Sequence, residues 1–221
     1  MQVMIINSLS GLERLRGAVV IIDVFRASNT TIALLAARAQ RVIPIADLEE
    51  ARGLKKAHPD WLLAGERDGV PPPGFDLDNS PTKAAALAPA GKTVLHTTSA
   101  GTQAVARLAK AGAVFHGSFA NASALARHLG QDPGRPVHLL PMGYRATEPA
   151  HEDSAFAEYL AALLRGDPPD FEKIRPGLLD CPGARRMKRL GLLADLEFCT
   201  TLDSHDLAPT VHYGELPYIT A

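Results

Sequence analysis

The sequence predicts an α/β protein with a mainly parallel sheet and helices on both of its faces. Three observations support this fold class. Strand-like and helix-like stretches alternate through most of the chain. The run at residues 19–22 (V-V-I-I) is continuously apolar and β-branched, which is typical of a strand buried on both faces. Polar, helix-capping residues follow directly, so a ligand crevice is expected at the carboxyl ends of the strands.

The composition is that of a soluble globular protein. The 221 residues are 46% hydrophobic and 21% charged, with a formal net charge of -1. This balance argues against a protein that coats nucleic acid or binds a membrane surface. We find no apolar run near the roughly 20 residues of a membrane span and no signal peptide. Cys181 and Cys199 make neither a disulfide framework nor a metal cluster, so a reducing, cytoplasmic location is expected.

The pattern predicts seven strands before residue 166. They fall at residues 1–7, 18–23, 41–45, 62–66, 92–96, 113–116 and 136–142. Pro44 suggests that the third of these strands is an edge strand or contains a bulge.

Helices are expected between these strands. They fall at residues 28–39, 48–57, 103–110 and 152–164, with a further helix ending at residue 129. Asp47 is the expected N-cap of the second helix, with Glu50 three residues on.

The pattern changes after residue 165. We expect residues 1–166 to form the main α/β core with the site loops. Residues 167–221 are expected to be a mixed α/β extension that packs on the same core, in one compact unit. This extension should contain one short basic helix within residues 177–191, followed by strand-like pieces and turns.

The first strand–helix connection is the centre of the predicted site. Asp23 and Arg26 stand where the buried strand should end, and Ser28 and Thr30 begin the next helix. Helix N-termini offer free N–H groups and partial positive charge to anions. The stretch therefore combines a carboxylate, a guanidinium and a helix end that favours anions.

Three further polar loops follow apparent strands, at residues 66–80, 97–102 and 143–153. In a parallel sheet all four loops can lie on one rim, where they would gather acids and arginines. The acids are Asp23, Glu66, Asp76, Glu152 and Asp153, and the arginines are Arg26, Arg67 and Arg145. This set suits a hard divalent cation beside an anionic substrate. Salt bridges between rim residues are the alternative.

The loop at residues 97–102 (T-T-S-A-G-T) has small hydroxyl residues and one glycine, which let backbone N–H groups approach an anion. Taken alone, the loop is better explained as an ordinary N-cap. Ser99 is disfavoured as an acyl-transfer nucleophile. The nucleophile-elbow pattern G-x-S-x-G needs a glycine at position 97, which is occupied by Thr97. His96 is expected to be a core or supporting histidine.

Four segments resemble the 2-phosphosulfolactate phosphatase family, the ComB-like proteins. They are I-D-V-F-R-A-S-N-T-T-I (22–32), G-E-R-D-G-V-P-P-P-G-F-D-L-D-N-S-P (65–81), T-T-S-A-G-T (97–102) and G-S-F-A-N-A-S (117–123). The resemblance covers about residues 19–164. It implies a ComB-like α/β fold and a Mg²⁺-dependent phosphatase. The implied reaction converts 2-phospho-3-sulfolactate to 3-sulfolactate and phosphate, a step of coenzyme M synthesis.

Residue roles follow from combining the resemblance with the chemistry of the loops. Asp23, Glu66 and Asp153 are the candidate metal ligands, with Glu152 as the alternate. The catalytic set is Asp23, Arg26, Glu66, Arg67 and Asp153. The substrate-binding set is Ser28, Thr30, Asn79, Ser80, Thr98, Gly101, Thr102 and Arg145.

The expected partner is a small anionic phosphorylated substrate, with neither nucleic acid nor membrane, and a homodimer is compatible with the sequence. A substrate with phosphate, sulfonate and carboxylate groups carries about four negative charges near neutral pH. Two alternatives remain open: a phosphatase for another small phosphorylated hydroxy acid, and a non-enzymatic protein that binds small anions.

Overall fold

The computed structural model describes residues 1–67, 69–98 and 101–221, with their side chains except at residues 85 and 101–103. Within these ranges nine strands form one sheet. They are β1 (Val3–Ile5), β2 (Ala18–Ile22), β3 (Arg41–Pro44), β4 (Leu62–Gly65), β5 (Thr93–Thr97), β6 (Ala113–Gly117), β7 (Val137–Pro141), β8 (Thr210–His212) and β9 (Tyr218–Thr220).

The described residues also form nine α-helices. They are α1 (Ala27–Ala36), α2 (Leu48–Ala57), α3 (Pro81–Ala86), α4 (Gly101–Arg107), α5 (Ala122–Gly130), α6 (His151–Leu164), α7 (Phe171–Asp180), α8 (Pro182–Arg189) and α9 (Leu193–Cys199). In this part of the chain no helix combines the length and apolarity needed to span a bilayer.

The sheet has the order β1-β7-β2-β6-β8-β9-β3-β5-β4. Strands β1, β7, β2 and β6 are parallel to one another, and so are β3, β5 and β4. The antiparallel pair β8–β9 joins the two groups through antiparallel contacts with β6 and β3. The mainly parallel α/β fold is therefore confirmed, but the two parallel groups run in opposite directions.

This reversal corrects the simple expectation that all the site loops follow strands of one parallel sheet. A flat sheet would hold β2 and β4 roughly 29 Å apart, because neighbouring strands are spaced by about 4.8 Å. Yet Asp23, which follows β2, and Glu66, which follows β4, line the same cavity. Sheet twist accumulates to roughly 120–150° over the six strand-to-strand steps from β2 to β4. Twist and curvature therefore largely compensate for the reversed strand direction and bring the loops after β2 and β4 to the same cavity.

Helices cover both faces of the sheet, as predicted. Alternate residues of β2 point to opposite faces: Ile21 belongs to the core that includes α1 and α4, and Ile22 to the core that includes α5 and α6. Val94 of β5 lies in the same core as Ile21. Both groups of strands therefore pack against one layer of helices, which is consistent with a curved sheet.

Local expectations are met at α2 and fail at β3. Asp47 is the N-cap of α2, and its side chain accepts a hydrogen bond from the Glu50 N–H. Pro44, expected at an edge or bulge, ends a strand that lies between β9 and β5 inside the sheet. Its position at the strand end explains why the missing N–H is tolerated. The single basic helix expected at residues 177–191 is one of three successive helices, α7, α8 and α9.

Candidate active site

A cavity of about 460 Å³ opens where the loops after β2, β4 and β7 meet helix α8. Its volume is in the range of small-molecule sites. Acidic and arginine side chains border it together. They are Asp23, Arg26, Glu66, Arg145, Glu148, Glu152, Asp153, Arg186 and Arg189.

The connection from β2 to α1 positions Asp23. Strand β2 is wholly buried and apolar, so the chain can leave the core only where Asp23 begins the polar loop. The Asp23 carboxylate accepts a hydrogen bond from the Ala27 N–H at 3.1 Å, in the first turn of α1. Ser28 supports this turn, because its hydroxyl accepts from the Asp23 N–H at 3.1 Å.

Asp153 joins the loops that follow β2 and β7. One carboxylate oxygen accepts from the Val24 N–H at 2.8 Å, and the other accepts from the Gly143 N–H at 2.9 Å. Residues 24 and 153 are 129 positions apart in the sequence. The buried Asp153 side chain therefore fixes the relation between two walls of the cavity, one of which carries Asp23.

Arg26 borders the cavity but is only 5% exposed, and it is paired to the C-terminal part of the chain. Its Nη1 lies 2.7 Å from Oδ2 of Asp195 in α9. The other oxygen of Asp195 accepts hydrogen bonds from the hydroxyls of Ser80 at 2.7 Å and Thr82 at 2.6 Å. Asp195 thus links Arg26 to the start of α3.

Glu152 lies beside the first turn of α8. The Cys181 thiol donates to its Oε2 at 3.4 Å, and the same sulfur accepts from the Ala184 N–H as the N-cap of α8. A methyl group added to Gly183 would lie only 2.6 Å from Oε1 of Glu152 and 2.9 Å from Cδ2 of Phe25. Only glycine at position 183 lets the helix approach this carboxylate so closely.

Glu66 and Arg67 are neighbours with different placements. Glu66 lines the cavity, and its Oε2 accepts from the Gly69 N–H at 2.7 Å. The Arg67 guanidinium instead donates to the main-chain carbonyls of Glu66 and Ala46, each at 2.7 Å, and is not among the residues that line the cavity. The structure therefore does not bring Arg67 to the substrate space that the sequence assigned to it.

The other predicted residues divide into two groups. Asn79 and Arg145 line the cavity, and Asn79 Oδ1 lies 3.0 Å from Nε2 of the buried His96, which is a supporting histidine as expected. Buried residues outside the cavity lining are Ser28, Thr30, Ser80 and Thr98. Asp76 lies outside the lining and accepts from the Leu63 N–H at 2.8 Å. Gly101 and Thr102 fall outside the residues whose side chains are described, and Ser99 is also outside the described residues.

Asp23, Glu152 and Asp153 lie in a poorly solvated space, which raises the pKa values of these three carboxylates. Burial raises the pKa of Asp23 to about 7, and the negative charges of Glu66 and Glu152 contribute further. Burial also raises the pKa of Asp153 well above its usual range, with added repulsion from Asp23 and Glu152. The pKa of Glu152 is raised in the same way by burial. The cluster therefore favours either a proton or a cation.

The donor chemistry fits a hard divalent cation that keeps part of its water shell. Among the described residues, no three acidic, histidine or cysteine side chains already form a closed metal cluster. Mg²⁺ does not need one, because it typically uses one or two carboxylates and completes its octahedron with water and substrate oxygens. A cation near Asp23 and Asp153 would offset the repulsion between these buried carboxylates.

Sequence reasoning missed the contribution of residues 181–195. Asp195, Cys181, Gly183 and Arg186 all touch or support the cavity, although none was a candidate. The only sequence signal was the basic stretch A-R-R-M-K-R-L of residues 184–190, which indicated a helix but not its place. Such contacts depend on packing between distant segments.

An α/β fold with carboxylates and guanidiniums around one cavity defines a class of enzyme that binds small anions at a strand–helix rim. Comparison with known proteins makes the class specific. The family model described as 2-phosphosulpholactate phosphatase matches residues 4–214. The chain belongs to this family and is therefore a phosphatase, a phosphoric monoester hydrolase.

Named relatives support this membership. A protein of Carboxydothermus hydrogenoformans is 34% identical, with 90% of this chain and 87% of the relative covered. One from Caldanaerobacter subterraneus is 32% identical, with 94% and 93% covered. One from Deinococcus radiodurans is 34% identical, with 88% of each chain covered. Each carries the name "Probable 2-phosphosulfolactate phosphatase".

Proposed function

We propose that the protein is a Mg²⁺-dependent phosphatase that hydrolyses 2-phospho-3-sulfolactate to 3-sulfolactate and phosphate, the reaction type of coenzyme M biosynthesis. The observation that carries the proposal is the meeting of Asp23, Glu66, Glu152 and Asp153 with Arg26 around one cavity. The names of the relatives support the choice of substrate.

The candidate metal ligands are Asp23, Glu66 and Asp153, of which Mg²⁺ would typically use one or two together with water and substrate oxygens. When bound, the ion would polarise the phosphoryl group and lower the pKa of a coordinated water. Asp153 also keeps the loops after β2 and β7 in register through its two backbone hydrogen bonds. A substitution at Asp153 would therefore disturb both metal binding and the shape of the cavity.

Glu152 is our candidate for the general base. Its position is fixed by the Cys181 thiol, and burial raises its pKa, which makes it a better proton acceptor than an exposed carboxylate. Arg26 would stabilise the charge on the phosphoryl oxygens, because a guanidinium can offer two parallel N–H donors. Its pairing with Asp195 restricts it to one orientation, so little conformational entropy is lost on binding.

We also propose that the enzyme acts in the cytoplasm and that residues 167–221 fold with residues 1–166 as one unit. The two buried free thiols, Cys181 and Cys199, suit a reducing compartment. The unit is supported by β8 and β9, which lie inside the sheet, and by the Arg26–Asp195 pair. A separate extension would leave both the sheet and this ion pair incomplete.

The test is phosphate release from 2-phospho-3-sulfolactate by the purified protein, with MgCl₂ and with EDTA. Phosphate release should require Mg²⁺ and should fall at least about 100-fold in Asp23→Asn. Asp60→Asn makes the same chemical change in an exposed turn and should leave the rate unchanged. Circular dichroism of all three proteins checks that the fold is kept.

The outcomes separate the alternatives. Turnover of other phosphorylated hydroxy acids, but not of the sulfonated one, would replace the substrate and keep the reaction class. Turnover that is undiminished in EDTA would reject the metal. If no phosphoester is hydrolysed while sulfolactate raises the melting temperature, the protein binds small anions without catalysing this reaction.

A further inference from the structure

Helix α8 forms a cationic wall of the cavity beside the acidic cluster. It begins with Gly183 against Glu152 and continues along the cavity to Arg186 and Arg189, which also line it. At a rise of 1.5 Å per residue, Arg186 stands about 4.5 Å further along the helix axis than Gly183. Glu152 and Arg186 therefore border the cavity within the span of a small molecule.

The arginines that border the cavity are not equally engaged. The charge of Arg26 is compensated by Asp195 at 2.7 Å. Arg145 lies over the ring of Tyr144, with its Cζ 5.4 Å from the ring centroid, and has a further interaction. In the part of the chain that the structure describes, the Arg186 guanidinium has neither an ion pair nor a hydrogen bond.

Arg186 is nevertheless held in place. Its Cζ is 4.9 Å from the centroid of the Tyr144 ring, and its Nη2 is 3.3 Å from where a methyl group on Gly69 would lie. The side chain is only half-exposed. A guanidinium that is stacked on an aromatic ring keeps its N–H edge available for a planar or tetrahedral oxyanion. This arrangement is suited to binding an anion that comes from outside the chain.

The phosphoryl group is better placed beside Asp23, Asp153 and Arg26, because these residues are the ones proposed to bind the metal and the phosphoryl oxygens. The sulfonate and the carboxylate of the substrate need further cationic partners, since they would otherwise lie unpaired in a poorly solvated space. We propose that Arg186, positioned by Tyr144, binds the sulfonate-type acid group that is not hydrolysed. Arg186 is then a specificity determinant, and this assignment rests on the proposed function.

The experiment compares two substrates that differ only in this group: 2-phospho-3-sulfolactate and 2-phospholactate, in which a hydrogen replaces the sulfonate. In Arg186→Gln the KM for the sulfonated substrate should rise at least about tenfold. The KM for 2-phospholactate should change less than about threefold. Arg186→Lys should lie between wild type and Arg186→Gln for the sulfonated substrate, because it keeps the charge but loses the fork.

Arg185→Gln is the matched control, because Arg185 is on the same helix but pairs with the exposed Asp180 at 2.9 Å. It should leave both KM values unchanged. Equal losses on both substrates in Arg186→Gln would overturn the proposal, since Arg186 would then serve the phosphoryl group, the carboxylate or the fold. Unchanged kinetics on both would also overturn it, because the sulfonate would not reach Arg186.

A binding measurement keeps this proposal separate from the proposed function. The probe is 3-sulfolactate titrated by calorimetry into wild type and Arg186→Gln, with lactate as the comparison. If the wild type hydrolyses neither phosphoester but binds 3-sulfolactate more tightly than lactate, and Arg186→Gln loses that difference, the proposed function fails and the anion site stands. If the difference survives in Arg186→Gln, the anion site is wrong whatever the enzyme hydrolyses.

Discussion

Two buried groups of charges lie on either side of the start of α1, and they are built in opposite ways. In the first, Asp195 receives hydrogen bonds from Arg26, Ser80 and Thr82. Burial alone would raise the pKa of Asp195, but these bonds and the Arg26 charge lower it below its usual value. In the second, burial raises the pKa values of Asp23 and Asp153, and the charge of Glu152 near both, with that of Asp23 near Asp153, adds to the rise.

The difference separates a structural network from a functional one. In the compensated group, the task of Asp195 is to hold Arg26 and the start of α3 in place. Buried like charges cost stability and persist because a proton, a cation or a substrate can use them. Substitution of Asp195 should therefore mainly lower stability, whereas substitutions in the second group should mainly lower activity.

The largest expected effect on stability is that of Asp195→Ala. It leaves Arg26 buried without a counter-ion, so the free energy of unfolding should fall by about 3–5 kcal/mol, measured by urea denaturation. Asp206→Ala is the matched control, because its pair with Arg127 is exposed and should be worth at most about 1 kcal/mol. A similar small loss for both variants would show that the Arg26–Asp195 pair is not buried as described.

Asp23→Asn should have the opposite effect on stability. The usual pKa of Asp23 is 3.8 and burial raises it to about 7, so between these values the unfolded state binds fewer protons and stability falls as pH rises. In metal-free protein with EDTA, Asp23→Asn should remove this decline and be more stable at pH 7 by on the order of 1–3 kcal/mol.

Histidines contribute in the opposite direction over part of the same range. Burial lowers the pKa of His96 from 6.5 to about 4 and that of His116 to about 3, so they make the native state less stable as pH falls below 6.5. Wild type and Asp23→Asn both contain His96 and His116, so the effect of these histidines cancels in the difference between the two stability curves. Parallel curves for wild type and Asp23→Asn from pH 4 to 7 would contradict the raised pKa of Asp23.

Gly183→Ala tests the contact between α8 and the acidic group. The added methyl would displace Glu152, which should lower kcat about tenfold and cost about 1 kcal/mol after the gain in helix propensity. Gly130→Ala in α5 is the control, since no atom lies within 4 Å of the added methyl. If Gly183→Ala is as active as wild type, α8 does not approach Glu152 as closely as the structure indicates.

The smallest effect is expected for Cys181. Burial raises the pKa of its thiol to about 11, so the thiol stays protonated and donates to Glu152 near neutral pH. Cys181→Ala should cost about 0.5–1 kcal/mol by removing the N-cap of α8, and it should move the acid limb of the pH–rate profile of kcat. Cys181→Ser should restore both properties. If the pH–rate profile is unchanged in Cys181→Ala, the Cys181 thiol does not influence the titration of Glu152.

The parts that the sequence could predict are those in which neighbours along the chain share one environment. The buried run of β2, the polar turn at Asp23 and the start of α1 follow from hydrophobic pattern and capping preferences within 13 residues. The Asp47 cap of α2 is equally local. Such features depend on contacts that the linear spacing already specifies.

The failures involve contacts between distant segments. Pro44 was expected at an edge or in a bulge, because the residues around it could not show that β9 pairs with β3. The Arg26–Asp195 pair spans 169 positions, and Arg67, although next to Glu66, donates to the main-chain carbonyl of Ala46 outside the cavity lining. No local rule distinguishes these outcomes, because each is decided by how two elements pack.

The sequence by itself determined the α/β class, the strand–loop–helix unit around Asp23 and, through its resemblance, the phosphatase family. The tertiary structure alone decided that β8 and β9 reverse one half of the sheet, that α8 supplies Arg186 to the cavity, and that Asp195 of α9 pairs with Arg26. The physical reason is that periodicity and capping act over a few residues. A binding cavity, in contrast, depends on the twist of the whole sheet and on the burial of charges from remote segments.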